Sequence, residues 1–167
     1  MKKLGNYLLW GIVILCVTVG FSALGSVGSS KADFSGIRPI QKDISYKQLA
    51  ANKPTVVYIW ATWCGICRTN LPIVKKVYET LNGLLGIEFI SIEHGPSKTA
   101  KITSFIKKHT IPYPVFVTSD KNMQDWGISA FPTTLYVHSD GTIYFRDIGI
   151  MNPIGVFTRM VLLKLIA

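Results

Sequence analysis

The chain has 167 residues, a formal net charge of +9 and 49% hydrophobic residues. This length suffices for one domain of ordinary size and a short additional segment, and it excludes a large multidomain protein. The basic charge by itself would be compatible with nucleic acid binding, so the first question is where the chain resides.

The N-terminal segment predicts a membrane anchor. Residues 4–30 carry no charged side chain, and about 20 apolar residues are enough to cross a bilayer as a helix. Lys2 and Lys3 precede this span, so the positive-inside rule places the N-terminus in the cytoplasm and the rest of the chain beyond the membrane. The alternative is a cleaved signal peptide with a weak processing site at 29–33, "SSKAD". Cys16 lies within the span and is interpreted as apolar surface.

Residues 1–32 are therefore predicted to be anchor and linker, and residues 33–167 the exported domain. From residue 33 onward the chain has 15 basic and 9 acidic side chains. An exported chain rarely meets nucleic acid, which excludes that partner. The lysines are spread over predicted helices and are interpreted as solvated helix faces, with attraction to anionic lipid or to an acidic partner as the alternative.

Strands and helices alternate along the exported domain. An extended lead-in (33–43) is followed by a short helix (44–53) that ends before Pro54. The β-branched and aromatic run "TVVYIW" lacks alternation and predicts a strand buried on both faces. The remaining predicted elements are a helix at 64–83, a strand at 87–93, a helix at 97–109 capped by Ser97, a strand at 114–120, a short helical turn at 122–127, a hairpin at 133–149 and a helix at 152–167. This order predicts an α/β fold with a mixed sheet and helices on both faces.

Two cysteines with the spacing Cys-x-x-Cys, Cys64 and Cys67, fall between the buried strand and the following helix. At a helix N-terminus the unpaired N–H groups and the helix dipole favour a thiolate. Cys64 is therefore predicted to attack a substrate disulfide, and Cys67, one turn on, to resolve the mixed disulfide.

Two other interpretations of the pair are weaker. A structural disulfide between such close neighbours closes a very small loop and stabilises little. A structural zinc site needs four ligands, and the chain has no second Cys-x-x-Cys pair. The three histidines, His94, His109 and His138, lack ligand spacing and are predicted to be surface or strand residues; no metal site and no cofactor are predicted.

Two segments resemble the thioredoxin superfamily, and the likeness covers residues 40–167. "VVYIWATWCGICRTNLP" resembles the redox segment of that superfamily, including the helix proline at Pro72. "WGISAFPTTLYVHSDGTI" resembles its cis-proline segment, strand and hairpin. The resemblance implies a thioredoxin-like fold in which Pro132 is cis and brings the backbone of Phe131 beside the sulfurs. Substrate binding is then expected at Pro132 and Phe131 and on an uncharged platform of Trp63, Gly65 and Ile66; burial of Trp63 and Phe131 in the core is the alternative.

The long stretch between Cys67 and Pro132 predicts an extra strand–helix unit. With the anchor, this resembles TlpA/ResA-like exported oxidoreductases, and the ScsD-type proteins associated with copper tolerance most closely. Two carboxylates known from the superfamily are replaced: the buried acid that thioredoxin has before the motif falls at Tyr58, and the glutamate that ResA-like proteins have after it falls at Asn70. Glu93 is the candidate for their role, and Ile66 stands where thioredoxin has proline.

The resemblance implies a thiol-disulfide oxidoreductase in the periplasm, held to the bacterial inner membrane by one span. Its expected direction is reduction of protein disulfides, with electrons from a transmembrane thiol donor of the DsbD type. An oxidase or isomerase is the alternative in the same class. A copper carrier that uses both thiols as soft ligands is the alternative from another class.

Overall fold

The computed structural model describes residues 30–41, 50 and 52–166. The predicted span at 4–27 and most of the predicted helix at 44–53 lie outside these residues. Within them, no helix combines the length and the apolar character needed to cross a membrane.

The described strands form one mixed sheet of seven strands in the order β1-β7-β6-β3-β4-β5-β2. Central β3 pairs in parallel with β4 and antiparallel with β6. Their bounds are β1 (Ser30–Lys31), β2 (Arg38–Pro39), β3 (Thr55–Trp60), β4 (Glu88–Glu93), β5 (Val115–Val117), β6 (Thr133–Val137) and β7 (Thr142–Ile148). β2 lies in the lead-in that the sequence predicts only as extended chain, whereas β1 lies at the end of the segment predicted as anchor and linker. They pair with β5 and β7 and form the edges of the sheet.

Helices follow or separate these strands: α1 (Gly65–Leu81), a 3-10 turn (Leu84–Gly86), α2 (Thr99–Lys108), α3 (Asp120–Asp125) and α4 (Pro153–Leu165). The stretch between α1 and Pro132 thus holds two strands, β4 and β5, and two helices, α2 and α3. The predicted elements at these places exist, with ends that differ by a few residues.

Every residue of β3 is buried, as the absence of alternation predicts. Successive side chains of a strand point to opposite faces, so β3 serves two apolar clusters. Tyr58 and Trp60 pack in the cluster that includes Leu71 of α1. Val57 and Ile59 pack in the other cluster, on the face that α3 covers. Helices therefore lie on both faces of the sheet, and the carboxyl end of β3 is held rigidly between two layers.

Two local predictions need correction. Ser97 does not cap α2, because the N-cap residue is Lys98 without a side-chain cap, and the Ser97 hydroxyl instead lies 2.7 Å from the hydroxyl of Thr62. The predicted strand at 114–120 is shorter, because the hydroxyl of Ser119 accepts the N–H of Asn122 and starts α3. In both cases a long-range or competing hydrogen bond decides the role of a serine that the local sequence leaves open.

Candidate redox site

The two motif cysteines lie where β3 leads into α1. Cys64 is the N-cap residue of the helix, and its Sγ accepts the backbone N–H of Cys67 at 3.1 Å. The two sulfurs form a disulfide, with the Cα atoms 5.2 Å apart. Cys64 keeps 6% of its surface exposed and Cys67 1%. The strand–helix junction predicted from the sequence is therefore present, and the first sulfur sits at the positive end of the helix dipole.

The loop before β6 faces this disulfide. The Phe131–Pro132 peptide bond is cis, which confirms the prediction made from the resemblance. The carbonyl oxygen of Phe131 lies 3.9 Å from Cys64 Sγ. A backbone segment far along the chain thus borders the sulfur that the helix N-terminus favours as thiolate.

Trp63 lies in the loop directly before Cys64, and Ile66 lies in the first turn of α1. Their exposed fractions are 56% and 55%, so the alternative that Trp63 is a core residue is wrong. Phe131 is partly buried against both apolar clusters and meets the Trp63 ring edge-on at 5.8 Å between centroids. Gly65 leaves open space, since a Cβ there would meet no atom within 4 Å. Together these residues form an exposed apolar rim around the disulfide.

A cleft of about 600 Å³ opens beside this rim. Its lining combines aromatic rings with a polar pair: His94 Nε2 lies 3.1 Å from Asp120 Oδ1. The lining residues are Trp63, His94, Gly95, Pro96, Asp120 and Phe131. A side chain at Gly95 would clash with the indole of Trp63, since a Cβ at this position would lie 2.7 Å from Trp63 Nε1.

The two positions that carry carboxylates in ResA-like or thioredoxin proteins face each other here. Asn70 is fully buried, and its Nδ2 donates to the hydroxyl of Tyr58 at 3.3 Å. Its Oδ1 accepts the N–H of Met151 at 3.1 Å. Burial raises the pKa of Tyr58 to about 12, against the effect of the Asn70 hydrogen bond. This pair is therefore neutral at physiological pH and cannot take a proton from a thiol.

Glu93, the candidate for the missing acid, lies under the redox loop. It ends β4, in register with Trp60 of β3, and is 1% exposed. Its Oε1 accepts the N–H of Thr62 at 3.0 Å, two residues before Cys64. Burial raises the pKa of Glu93, and the hydrogen bonds to Thr62 and the charges of His94 and Lys101 oppose this effect.

The three histidines do not come together at the site. His94 lines the cleft, whereas His109 follows α2 and His138 follows β6. In the part of the chain that the structure describes, no group of three or more His, Cys, Asp or Glu side chains could hold a metal ion.

Sequence reasoning missed three of the cleft residues, Gly95, Pro96 and Asp120. None belongs to a motif, and they reach the cysteines only because β4 lies next to β3 and α3 follows β5. The one available signal was "EHGP" directly after a predicted buried strand, because a polar group at the end of such a strand lies at the same edge of the sheet as the redox loop.

Known proteins that are similar in sequence include proteins that exchange thiols and disulfides. The sequence model of the AhpC/TSA family matches residues 27–146. The thiol-disulfide oxidoreductase ResA of Bacillus subtilis (strain 168) is 23% identical over 173 residues, 98% of this chain and 96% of that protein. The thiol:disulfide interchange protein DsbE of Pasteurella multocida (strain Pm70) is 25% identical over 114 residues, 67% of this chain and 60% of that protein.

Among solved structures, StoA from Bacillus subtilis superposes with a TM-score of 0.60 at 20% sequence identity, covering 83% of this chain and 98% of that one. At this identity the match establishes the fold. The thioredoxin-like fold and the ResA-like resemblance predicted from the sequence are confirmed.

Proposed function

The chain belongs to the AhpC/TSA family and is a thiol-disulfide oxidoreductase with a thioredoxin-like fold, and we propose that it reduces protein disulfides through Cys64 and Cys67 on the exported side of a membrane. One observation carries the proposal: Cys64 Sγ is the N-cap acceptor of α1, with the carbonyl of Phe131 3.9 Å away. The likeness to ScsD-type proteins stays a prediction.

Each cysteine has a distinct role in this proposal. The Cys64 thiolate attacks one sulfur of the substrate disulfide, whose S–S bond breaks, and the departing thiolate takes a proton. Cys67 then loses its thiol proton and attacks Cys64 Sγ, which forms the Cys64–Cys67 disulfide and releases the second substrate thiolate. Two electrons pass from the cysteine pair to the substrate; one of the two protons that the substrate gains comes from the Cys67 thiol and the other from solvent. The smaller exposure of Cys67 supports its role as the resolving residue.

Substrate would lie across the apolar rim and the cleft. An extended polypeptide could pair with the backbone at Phe131 and Pro132, and its side chains would reach Trp63, Gly65 and Ile66. The exposed surface of Trp63 and Ile66 supports this assignment, because large apolar side chains at the centre of a surface are typical of binding sites. The size of the cleft supports a protein side chain as its occupant.

Direction and location complete the proposal. The ResA-like resemblance supports reduction, with electrons from a transmembrane donor of the DsbD type, and the uncharged segment after Lys2 and Lys3 supports an inner-membrane anchor with residues 33–167 in the periplasm. A phosphatase fused to the C-terminus should be active and a cytoplasm-dependent reporter silent. Recovery of soluble mature protein that begins near Asp33 would rule out the anchor while retaining export.

The decisive experiment is the redox equilibrium of the full chain in detergent against glutathione. If Cys64 and Cys67 remain almost wholly as the disulfide in equilibrium with glutathione, the pair is strongly reducing, which supports a reductase. If the pair is reduced as readily as the cysteine pairs of strong oxidants, an oxidase is supported. Cys67→Ser should accumulate mixed disulfides with substrate, and Cys64→Ser should abolish exchange. The assignment of roles is wrong if alkylation of the reduced protein at neutral pH modifies Cys67 before Cys64.

A further inference from the structure

A carboxyl group under the redox loop is only half satisfied. Glu93 Oε1 accepts the Thr62 N–H, whereas Oε2 is buried and has no hydrogen-bond partner among the described residues. A buried polar group left in this way costs about 1–3 kcal/mol, and more if it is charged. Among the described residues, Glu93 is also the only carboxylic acid that is buried. An unsatisfied buried group in a native fold needs an explanation, and a role in redox chemistry is one of the known explanations.

The carboxyl is connected directly to the segment that carries the first sulfur. The Thr62 N–H donates to Glu93 Oε1, and the Cys64 N–H donates to Ala61 O at 3.1 Å. The short turn from residue 61 to 64 therefore lies between the carboxyl and Cys64 Sγ. Glu93 is 1% and Cys64 6% exposed, and in such buried surroundings a carboxylate beside the redox loop disfavours the thiolate, since like charges repel more strongly at low dielectric.

The other charged groups near Glu93 do not neutralise it by contact. His94 follows it in the chain, and its Nε2 pairs with Asp120. Lys101 approaches from α2 and, like His94, acts through its charge. In the reduced protein the redox loop and the first turn of α1 add the thiols of Cys64 and Cys67, and burial raises the pKa of Tyr58 and Tyr113 in the same apolar cluster. The carboxyl thus keeps a titration of its own, and the neutral Tyr58–Asn70 pair offers no alternative acid.

We propose that Glu93 is a positioning residue of the redox site that couples proton uptake to the redox state of the Cys64–Cys67 pair. In the reduced protein, the negative charge of the Cys64 thiolate favours the protonated carboxyl, so a proton is held at Glu93. When the disulfide forms, the thiolate charge disappears and the carboxyl releases that proton to solvent. The two electrons pass to the substrate disulfide as described above. This inference rests on the proposed function of the cysteine pair.

The test compares the full chain with Glu93→Gln, which retains an oxygen acceptor for Thr62 N–H and removes the charge. Both proteins are equilibrated with reduced and oxidised glutathione from pH 5 to pH 9. At low pH the two equilibrium constants should coincide. At high pH the wild type should favour the disulfide by about threefold to tenfold more than the variant, since tenfold corresponds to one pKa unit of coupling. Alkylation of Cys64 at pH 7 should be faster in the variant by a similar factor.

Glu88→Gln is the matched control, because Glu88 begins the same strand and its carboxylate pairs with Lys53 at the other end. It should follow the wild type at every pH. A second measurement needs no variant: the infrared difference spectrum between reduced and oxidised wild type should contain a protonated-carboxyl band that is lost on oxidation near neutral pH.

The outcomes separate the two proposals. If the wild type does not exchange with glutathione at all, the proposed function fails. If the wild type exchanges normally but Glu93→Gln shows the same pH dependence, and the infrared band is absent, the role of Glu93 is overturned and the function of the cysteines stands.

Discussion

Two carboxyl groups at opposite sides of the sheet have pKa values raised by burial, yet their surroundings differ. Asp147 on β7 uses both oxygens: Oδ1 lies 2.8 Å from Arg159 Nη2, and Oδ2 accepts the hydroxyl of Tyr136 at 3.0 Å. Glu93 uses one oxygen and leaves the other without a partner. Burial raises the pKa of Asp147, and the Arg159 charge and the Tyr136 hydrogen bond oppose this.

The difference separates a structural carboxylate from a titratable one. Arg159 is 5% exposed and also lies over the Tyr136 ring at 5.6 Å, so the pair fastens α4 to β6 and β7. Asp147 and Arg159 hold opposite charges 2.8 Å apart, so the carboxylate has a fixed partner in its ionised form. Glu93 contacts the redox loop and forms no ion pair within the part of the chain that the structure describes, so its protonation can respond to the cysteines.

The largest expected effect comes from breaking the paired site. Arg159→Met should lower the free energy of unfolding by about 3 kcal/mol, because it leaves Asp147 without its counter-ion in partly buried surroundings. Urea denaturation measures this loss. The double variant Asp147→Asn, Arg159→Met should recover much of it, and the glutathione equilibrium of either folded variant should match the wild type. A loss below 1 kcal/mol would show that the pair does not fasten α4.

Gly95→Ala tests the cleft side of the comparison through function rather than stability. The new Cβ would lie 2.7 Å from Trp63 Nε1 and must displace the indole ring from its present position. We expect reduction of a model protein disulfide to slow about threefold to tenfold, since misplaced binding groups cost rate. The matched control is Gly36→Ala, whose Cβ would meet its nearest neighbour, Asn122 Nδ2, at 3.4 Å; neither residue lines the cleft. Equal rates for all three proteins would contradict a role for Trp63 in substrate binding.

Glu93→Gln sharpens the comparison through the pH dependence of stability. The pKa of Glu93 is raised in the folded state, so at pH values above the ordinary pKa of a glutamate the folded protein binds more protons than the unfolded protein. The stability of the wild type therefore falls as the pH rises from the ordinary pKa to the raised one. The variant lacks this term. Relative to wild type it should therefore gain on the order of 1 kcal/mol between pH 4 and pH 8, measured by urea denaturation of the oxidised proteins. A difference that is constant with pH would refute the raised pKa.

The smallest effect is expected at a solvent-exposed ion pair. Lys121 and Asp125 lie one helical turn apart on α3, with side chains 77% and 53% exposed. Lys121→Ala should change the free energy of unfolding by at most about 0.5 kcal/mol, because water and salt screen such pairs. A loss comparable with that of Arg159→Met would mean that burial is not what distinguishes the two pairs.

Much of the fold was predictable because its signals are local. The buried run at 55–60, the helical spacing after Cys64 and the turn residues Ser139, Asp140 and Gly141 each determine a strand, a helix or a hairpin through near neighbours. The edge strands β1 and β2 were not predictable, since two-residue segments have no pattern of their own and form only where a partner strand is present. Lys75 shows the same limit: the sequence predicts a solvated lysine, whereas its Nζ donates to the carbonyl of His109 at the end of α2.

The sequence by itself determined the redox motif and its place at a helix N-terminus, because these follow from residue identity and spacing. The loss of both familiar carboxylates at Tyr58 and Asn70 followed from the resemblance to thioredoxin and to ResA-like proteins. The tertiary structure decided what replaces them. Glu93 reaches the redox loop because β4 pairs in parallel with β3 and ends level with Trp60. Its burial, its single contact with Thr62 and its unpartnered oxygen arise from packing between segments about 30 residues apart, and no local pattern encodes such contacts.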